Sequence, residues 1–148
     1  MMTLIDVLPE YLEWANMRSL TMARAVGTKD VEQIMAHILG AETRWASFAL
    51  GLGSVCGPRP EWDLDECAVR LAQSAALYRR VRDGVAADSI VSGVTMAGNA
   101  IEKPLPEVLL HVFAHGAYHR GQISQEARRA GHEILDTDLV IFLGMERR

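Results

Sequence analysis

Between Leu105 and Ala130 the chain carries two stripes on one helical period. Leu105, Leu109, Val112, Gly116, Ile123 and Ala127 recur at three- and four-residue spacing, so rotation of about 100° per residue gathers them onto one face. About a quarter turn away lie His111, His115, His119, Gln122 and Glu126. A helix this long with so continuous an apolar stripe has to bury it against other helices. The histidine row beside that seam then faces whichever neighbour packs there.

The rest of the chain supplies such neighbours. Leu4, Leu8, Leu12, Ala15, Met22 and Val26 mark a first helix from about Leu4 to Val26, with Tyr11 and Trp14 as further bulk and Pro9 fitting only within the first turn or as a mild kink. Gly27 and Thr28 stop the chain and restart it. A second helix from Thr28 or Lys29 to Leu50 places Ile34, His37, Ala41, Trp45 and Phe48 on one stripe, with Glu42 and Arg44 elsewhere. GLGSVCGPRP, residues 51–60, reads as a loop. Asp63 with Glu66 three residues later predicts a capping box for a third helix that carries Leu64, Cys67, Ala68, Leu71, Ala75 and Tyr78 and ends near Asp83-Gly84. Residues 85–103 are the least helical stretch and read as a long crossover, with Ile90 to Thr95 able to extend locally. Pro104 and Pro106 open the fourth helix, Gly131 ends it, and a short helix near Thr137 to Leu143 closes the chain. The expected fold is all-α: a single domain over residues 1–148, built as a four-helix bundle with one long crossover connection and a short C-terminal helix.

Composition narrows the function. A formal net charge of −4 and scattered basic residues, among them the pairs Arg79-Arg80, Arg128-Arg129 and Arg147-Arg148, give no basic face for nucleic acid. No apolar run approaches the length of a membrane span, and the N-terminus carries acids where a signal peptide has basic residues. Cys56 and Cys67 do not form a disulfide framework, which points to a reduced, cytoplasmic setting. A dinucleotide fingerprint, a phosphate-binding loop and a nucleophile elbow are all absent.

The five histidines carry the remaining information, four of them being His37, His111, His115 and His119. An i,i+4 pair such as His115 and His119 lies one turn apart on one face and makes half of a transition-metal site. Zinc, nickel, copper and iron all accept imidazole nitrogen. The same pair on a solvated face would do nothing. His37 is a polar residue in an otherwise apolar and aromatic stripe, either a hydrogen-bonded core histidine or the third ligand from a facing helix. Three imidazoles on two helices would leave coordination positions open for water or substrate, as catalytic sites do. His111, one turn before His115, reads as a fourth ligand, an outer-shell group or an exposed residue. His132 reads as a surface residue and Cys67 as a small core residue. Trp45 and Phe48, on the His37 face, either line a cleft or pack the core.

HVFAHGAYHRGQI, preceded by His37 in AHILGAETRW, resembles the DinB/YfiT-like superfamily of metalloenzymes. YLEWANMRSL resembles that family's first helix and TDLVIFLG its closing segment, so the likeness covers nearly the whole chain. HRGQ is its most specific element, since helix periodicity alone does not require it. The resemblance implies an up-down-down-up bundle, a homodimer, and a divalent metal on His37, His115 and His119. It also implies outer-shell or helix-packing roles for Arg120 and Gln122. Arg120 falls on the apolar side of its helix, away from the histidines, where a buried ion pair with an acid such as Asp138 is the physical alternative.

Characterised relatives include thiol-dependent transferases and isomerases. The leading expectation is therefore a metal-dependent enzyme using zinc, nickel or iron, with a low-molecular-weight thiol as cosubstrate and a small-molecule substrate. A hydrolase activating water on the same metal is the alternative, although Glu126, two turns past His119, is a distant general base. A non-catalytic, stress-related metal-binding protein is the third reading.

Overall fold

Helix boundaries follow from local chemistry. In the computed structural model, which describes residues 2–146, the Thr3 backbone N–H donates to the Asp6 carboxylate at 2.7 Å and opens α1 (Leu4–Val26). Gly27 closes it in the left-handed conformation. The Thr28 hydroxyl then accepts from the Val31 N–H to start α2 (Lys29–Ala49). Asp63 caps α3 (Leu64–Gly84) by accepting from the Glu66 N–H at 2.8 Å. The expected capping box is only half made there. The Glu66 side chain turns forward to Arg70 at 2.7 Å. Pro104 and Pro106 bracket the start of α4 (Leu105–Arg129), and α5 (Leu139–Glu146) comes last. The Arg147-Arg148 pair lies outside the described residues.

The crossover from α3 to α4 is more ordered than its composition announced. It holds an antiparallel hairpin of β1 (Ile90–Val94) and β2 (Ala100–Pro104), with Ile90 opposite Pro104 and Val94 opposite Ala100. The β-branched run at Ile90 and Val91 favours extension, and Val91 is buried against the bundle. The Arg44 guanidinium donates to the Val94 carbonyl at 3.1 Å and ties the hairpin to α2.

In the bundle α1 and α2 each pack on both α3 and α4. The apolar core divides into two clusters along its length. One holds Leu8 and Leu12 of α1, Phe48 of α2, Tyr78 of α3 and Leu109 of α4; the other holds Met22, Leu39, Leu71 and Ile123 from the same four helices. Along the chain, α1 and α4 run from the first cluster to the second, whereas α2 and α3 run the opposite way. That is an up-down-down-up arrangement.

A buried polar layer separates the clusters. Arg120 is fully buried, with Nη1 3.8 Å from the Glu42 carboxylate and 3.1 Å from the Asn16 amide oxygen, and Nη2 donating to the Tyr11 hydroxyl at 3.3 Å. Glu42 also accepts from the Asn16 amide at 3.0 Å and the Ser74 hydroxyl at 2.9 Å. The acid that balances Arg120 is therefore Glu42 and not Asp138. Asp138 is exposed at the start of α5, where its carbonyl accepts from the Ile141 N–H at 3.1 Å. Space for the guanidinium comes from Gly116, where a Cβ would stand 2.7 Å from Arg120 Nη1.

Candidate metal centre

Adjacent packing of α2 and α4 brings His37 against His115 and His119. The ring centroids lie 4.8 Å apart for His37 and His115, 4.7 Å for His37 and His119, and 4.5 Å for the helical pair. One nitrogen from each ring falls within 4.8 Å of the others, a group that could hold a metal ion.

Outward-facing nitrogens are tied down. His37 Nδ1 lies 2.6 Å from the Pro58 carbonyl, which can only accept, so the proton sits on Nδ1 and Nε2 keeps its lone pair. His119 Nδ1 lies 2.7 Å from the Gln122 amide oxygen, which fixes that ring in the same way. His37 Nε2 and His115 Nε2 are 3.1 Å apart. Two nitrogens each about 2.0–2.1 Å from one zinc stand about 2.9–3.4 Å apart at octahedral to tetrahedral angles, so the pair fits a shared ion.

His37 and His115 are also held neutral. Burial pushes His115 down to about 4, helped by the neighbouring His119, His37 and His111 and by Arg59. Burial lowers His37 as well, against the pull of its bond to Pro58. At neutral pH these two imidazoles offer lone pairs and not positive charge.

The loop that supplies Pro58 reaches α2 because residue 40 is glycine. A Cβ on Gly40 would come 2.6 Å from Pro60 Cδ and 3.4 Å from the Gly57 carbonyl oxygen. Loop and hairpin then wall a cavity of about 650 Å³ beside His37 and His115. Trp45, Val108, Ile101 and Leu110 give it an apolar lining, and Arg44, Lys103 and Glu107 are its charged members.

The remaining sequence candidates separate by position. His111 is on the cavity wall, its ring 5.7 Å from Trp45 and 5.6 Å from His115, and it is exposed. Gln122 reaches His119 directly. Arg120 touches none of the three rings and belongs to the polar layer. Trp45 lines the cavity, whereas Phe48 lies behind it in the core, edge-on to Trp45 at 5.4 Å. Glu126 pairs with Arg129 at 3.0 Å, and His132 is exposed. Burial pushes the Cys67 thiol up to about 12 and raises Cys56, so neither is a thiolate at neutral pH. The Pro58 carbonyl and Arg44 escaped the sequence reading. A backbone acceptor leaves no composition signal, and Arg44 sits at a helix position that looks solvated until the hairpin covers it.

The sequence model of the DinB family matches residues 10–148. Protein DinB of Bacillus subtilis (strain 168) is 20% identical over an alignment 161 positions long that covers 93% of this chain and 92% of the relative. No solved structure matches. The family match runs through all four bundle helices and the three histidines, and this chain belongs to the DinB family.

Proposed function

We propose that the protein is a metal-dependent enzyme in which His37, His115 and His119 hold a divalent transition metal beside a cavity that admits a low-molecular-weight thiol and an electrophile for S-transfer or isomerisation. One observation carries the reading: three imidazoles each bring a nitrogen into one group, two have their far nitrogens anchored to acceptors, and His37 and His115 line a sizeable cavity. Such a metal supplies Lewis acidity, which lowers the pKa of a coordinated thiol or water to near neutrality.

The chain's own contribution is placement. Pro58 and Gln122 set ring orientation and tautomer, as outer-shell partners of metal-bound histidines do. Burial keeps His115 and His37 unprotonated without any help from an added cation. Trp45 and Val108 give the cavity beside the histidines an apolar wall. Thiol chemistry is favoured over hydrolysis because, among the described residues, no carboxylate belongs to the histidine group; Glu107 on the cavity wall is exposed, and Glu126 pairs with Arg129. A homodimer in a cytoplasmic setting accompanies this reading and rests on the family resemblance and the two free cysteines.

Elemental analysis of purified wild type, His37→Ala and His119→Ala tests the site. We expect close to one metal per wild-type chain and loss of it in both variants; equal metal content in all three would sink the triad. Conjugation assays with cellular thiols on metal-loaded protein test the reaction. Thiol-independent ester or amide turnover would move the assignment to a hydrolase.

A further inference from the structure

We infer that the cavity beside His37 and His115 takes a small molecule with an apolar body and a carboxylate, and that Arg44 is the seat of that carboxylate. The inference deepens the proposed function by naming a substrate class, and it rests on that reading only for where the reaction takes place.

Among the described residues two arginines are buried, and one of them is neutralised. Arg120, wholly buried, has Glu42, Asn16 and Tyr11 around it. Arg44 is 6% exposed and forms no ion pair among the described residues. Its Nη2 donates to the Val94 carbonyl at 3.1 Å, its Cζ lies 5.5 Å from the Phe48 ring centroid, and its Nε is buried with no partner. A buried cation without a counter-charge is costly, and an unmade hydrogen bond on it adds to the cost. The same residue lines the cavity. An anion entering there supplies the missing charge, and a small turn of the guanidinium brings its enclosed Nε–H to the same acceptor.

The surroundings select the rest of the ligand. Trp45, Met96, Ile101, Val108 and Leu110 offer apolar surface to its body. A planar carboxylate matches a guanidinium held by one edge, since two parallel N–H donors meet two oxygens. Lys103 and Glu107, both exposed, bring charges of opposite sign to the same cavity, which leaves Arg44 as its buried charge.

The test uses metal-free protein and two probes of one shape, 3-phenylpropanoate and 3-phenylpropanamide, titrated with detection by proton–nitrogen NMR. We expect the carboxylate to bind about tenfold more tightly than the amide, the strength of a charge-assisted pair. We also expect the Arg44 Nε–H resonance to move on binding. Arg44→Gln brings the two probes to within about twofold, and Arg44→Lys, which keeps charge without the planar fork, falls between. Equal affinities in wild type, a preference that survives Arg44→Gln, an unmoved Nε–H resonance, or no binding of either probe overturns the assignment. If Arg44→Gln does not fold, the wild-type affinity ratio and the Nε–H resonance decide the matter. Because no metal is present, failure of the histidine site leaves this result standing, and failure of the Arg44 seat leaves the metal analysis standing.

Discussion

Glu42 shows what a single buried residue can do to a bundle. Burial drives its carboxyl pKa up, while Arg120, Asn16 and Ser74 pull it down. Both charges sit where water cannot reach, so neither tolerates the loss of the other. Glu42→Ala is expected to destabilise the protein by about 3–5 kcal/mol in chemical denaturation, because it strands the Arg120 charge. Glu42→Leu combined with Arg120→Met should cost much less than the two single changes added together. An additive result would mean that the pair is not coupled. This partnership was hidden in the sequence for a physical reason. Arg120 could be placed on the apolar side of its helix from spacing, but Asp138 and Glu42 were equally available acids until the packing of α4 on α2 was known. Hydrophobic stripes report which residues are inside, and they do not report which buried polar groups meet.

At the scale of elements, the helices were legible because each is bounded by its own caps. Thr28, Asp63 and Gly27 act within a few residues, so local chemistry suffices to place them. The hairpin was only half legible: Ile90 and Val91 announced extension, but the pairing partner at Ala100–Pro104 has weak strand character of its own. The α2 helix is buried over more of its circumference than its stripe shows. One stripe was visible, yet Met35, Ile38 and Leu39 on other faces are buried as well, since α3, α4, the loop and the hairpin surround it. His37 stands out in its stripe as a polar residue among apolar ones, and its link to His115 and His119 rests on the family likeness as much as on spacing. The loop before α3 offers a test of how one element sets up another. Gly40→Ala should displace the Pro58 segment, since its new methyl would overlap Pro60, and so release the bond that orients His37. Metal affinity is expected to fall about 10–100-fold, the usual effect of losing an outer-shell partner. Gly57→Ala, whose Cβ would meet open space, serves as the control in the same metal titration. Equal affinities for the two variants would show that the loop does not position the ring.

For the whole molecule, the histidine group couples stability to pH. His115 titrates near 6.5 when unfolded and near 4 when folded, and His37 is shifted the same way. Between those values the unfolded chain binds more protons than the folded one, so stability rises with pH and is lost as pH falls. The metal-free protein should therefore be at full strength above about pH 6.5 and weaken progressively toward about pH 4. Glu42 works in the opposite direction, because its raised folded pKa means that protonation relieves a burial cost. A raw stability profile mixes the two effects. Comparing metal-free wild type with His115→Asn separates them, since Glu42 is common to both. The wild-type unfolding free energy should drop more steeply between pH 6.5 and pH 4. Parallel profiles would show that His115 is not buried away from protons. Bound metal sharpens the same dependence, because protons and metal compete for the same lone pairs. Metal should then leave the protein over the pH range in which the fold itself loosens, and for the same cause: protonation forces like charges together between α2 and α4.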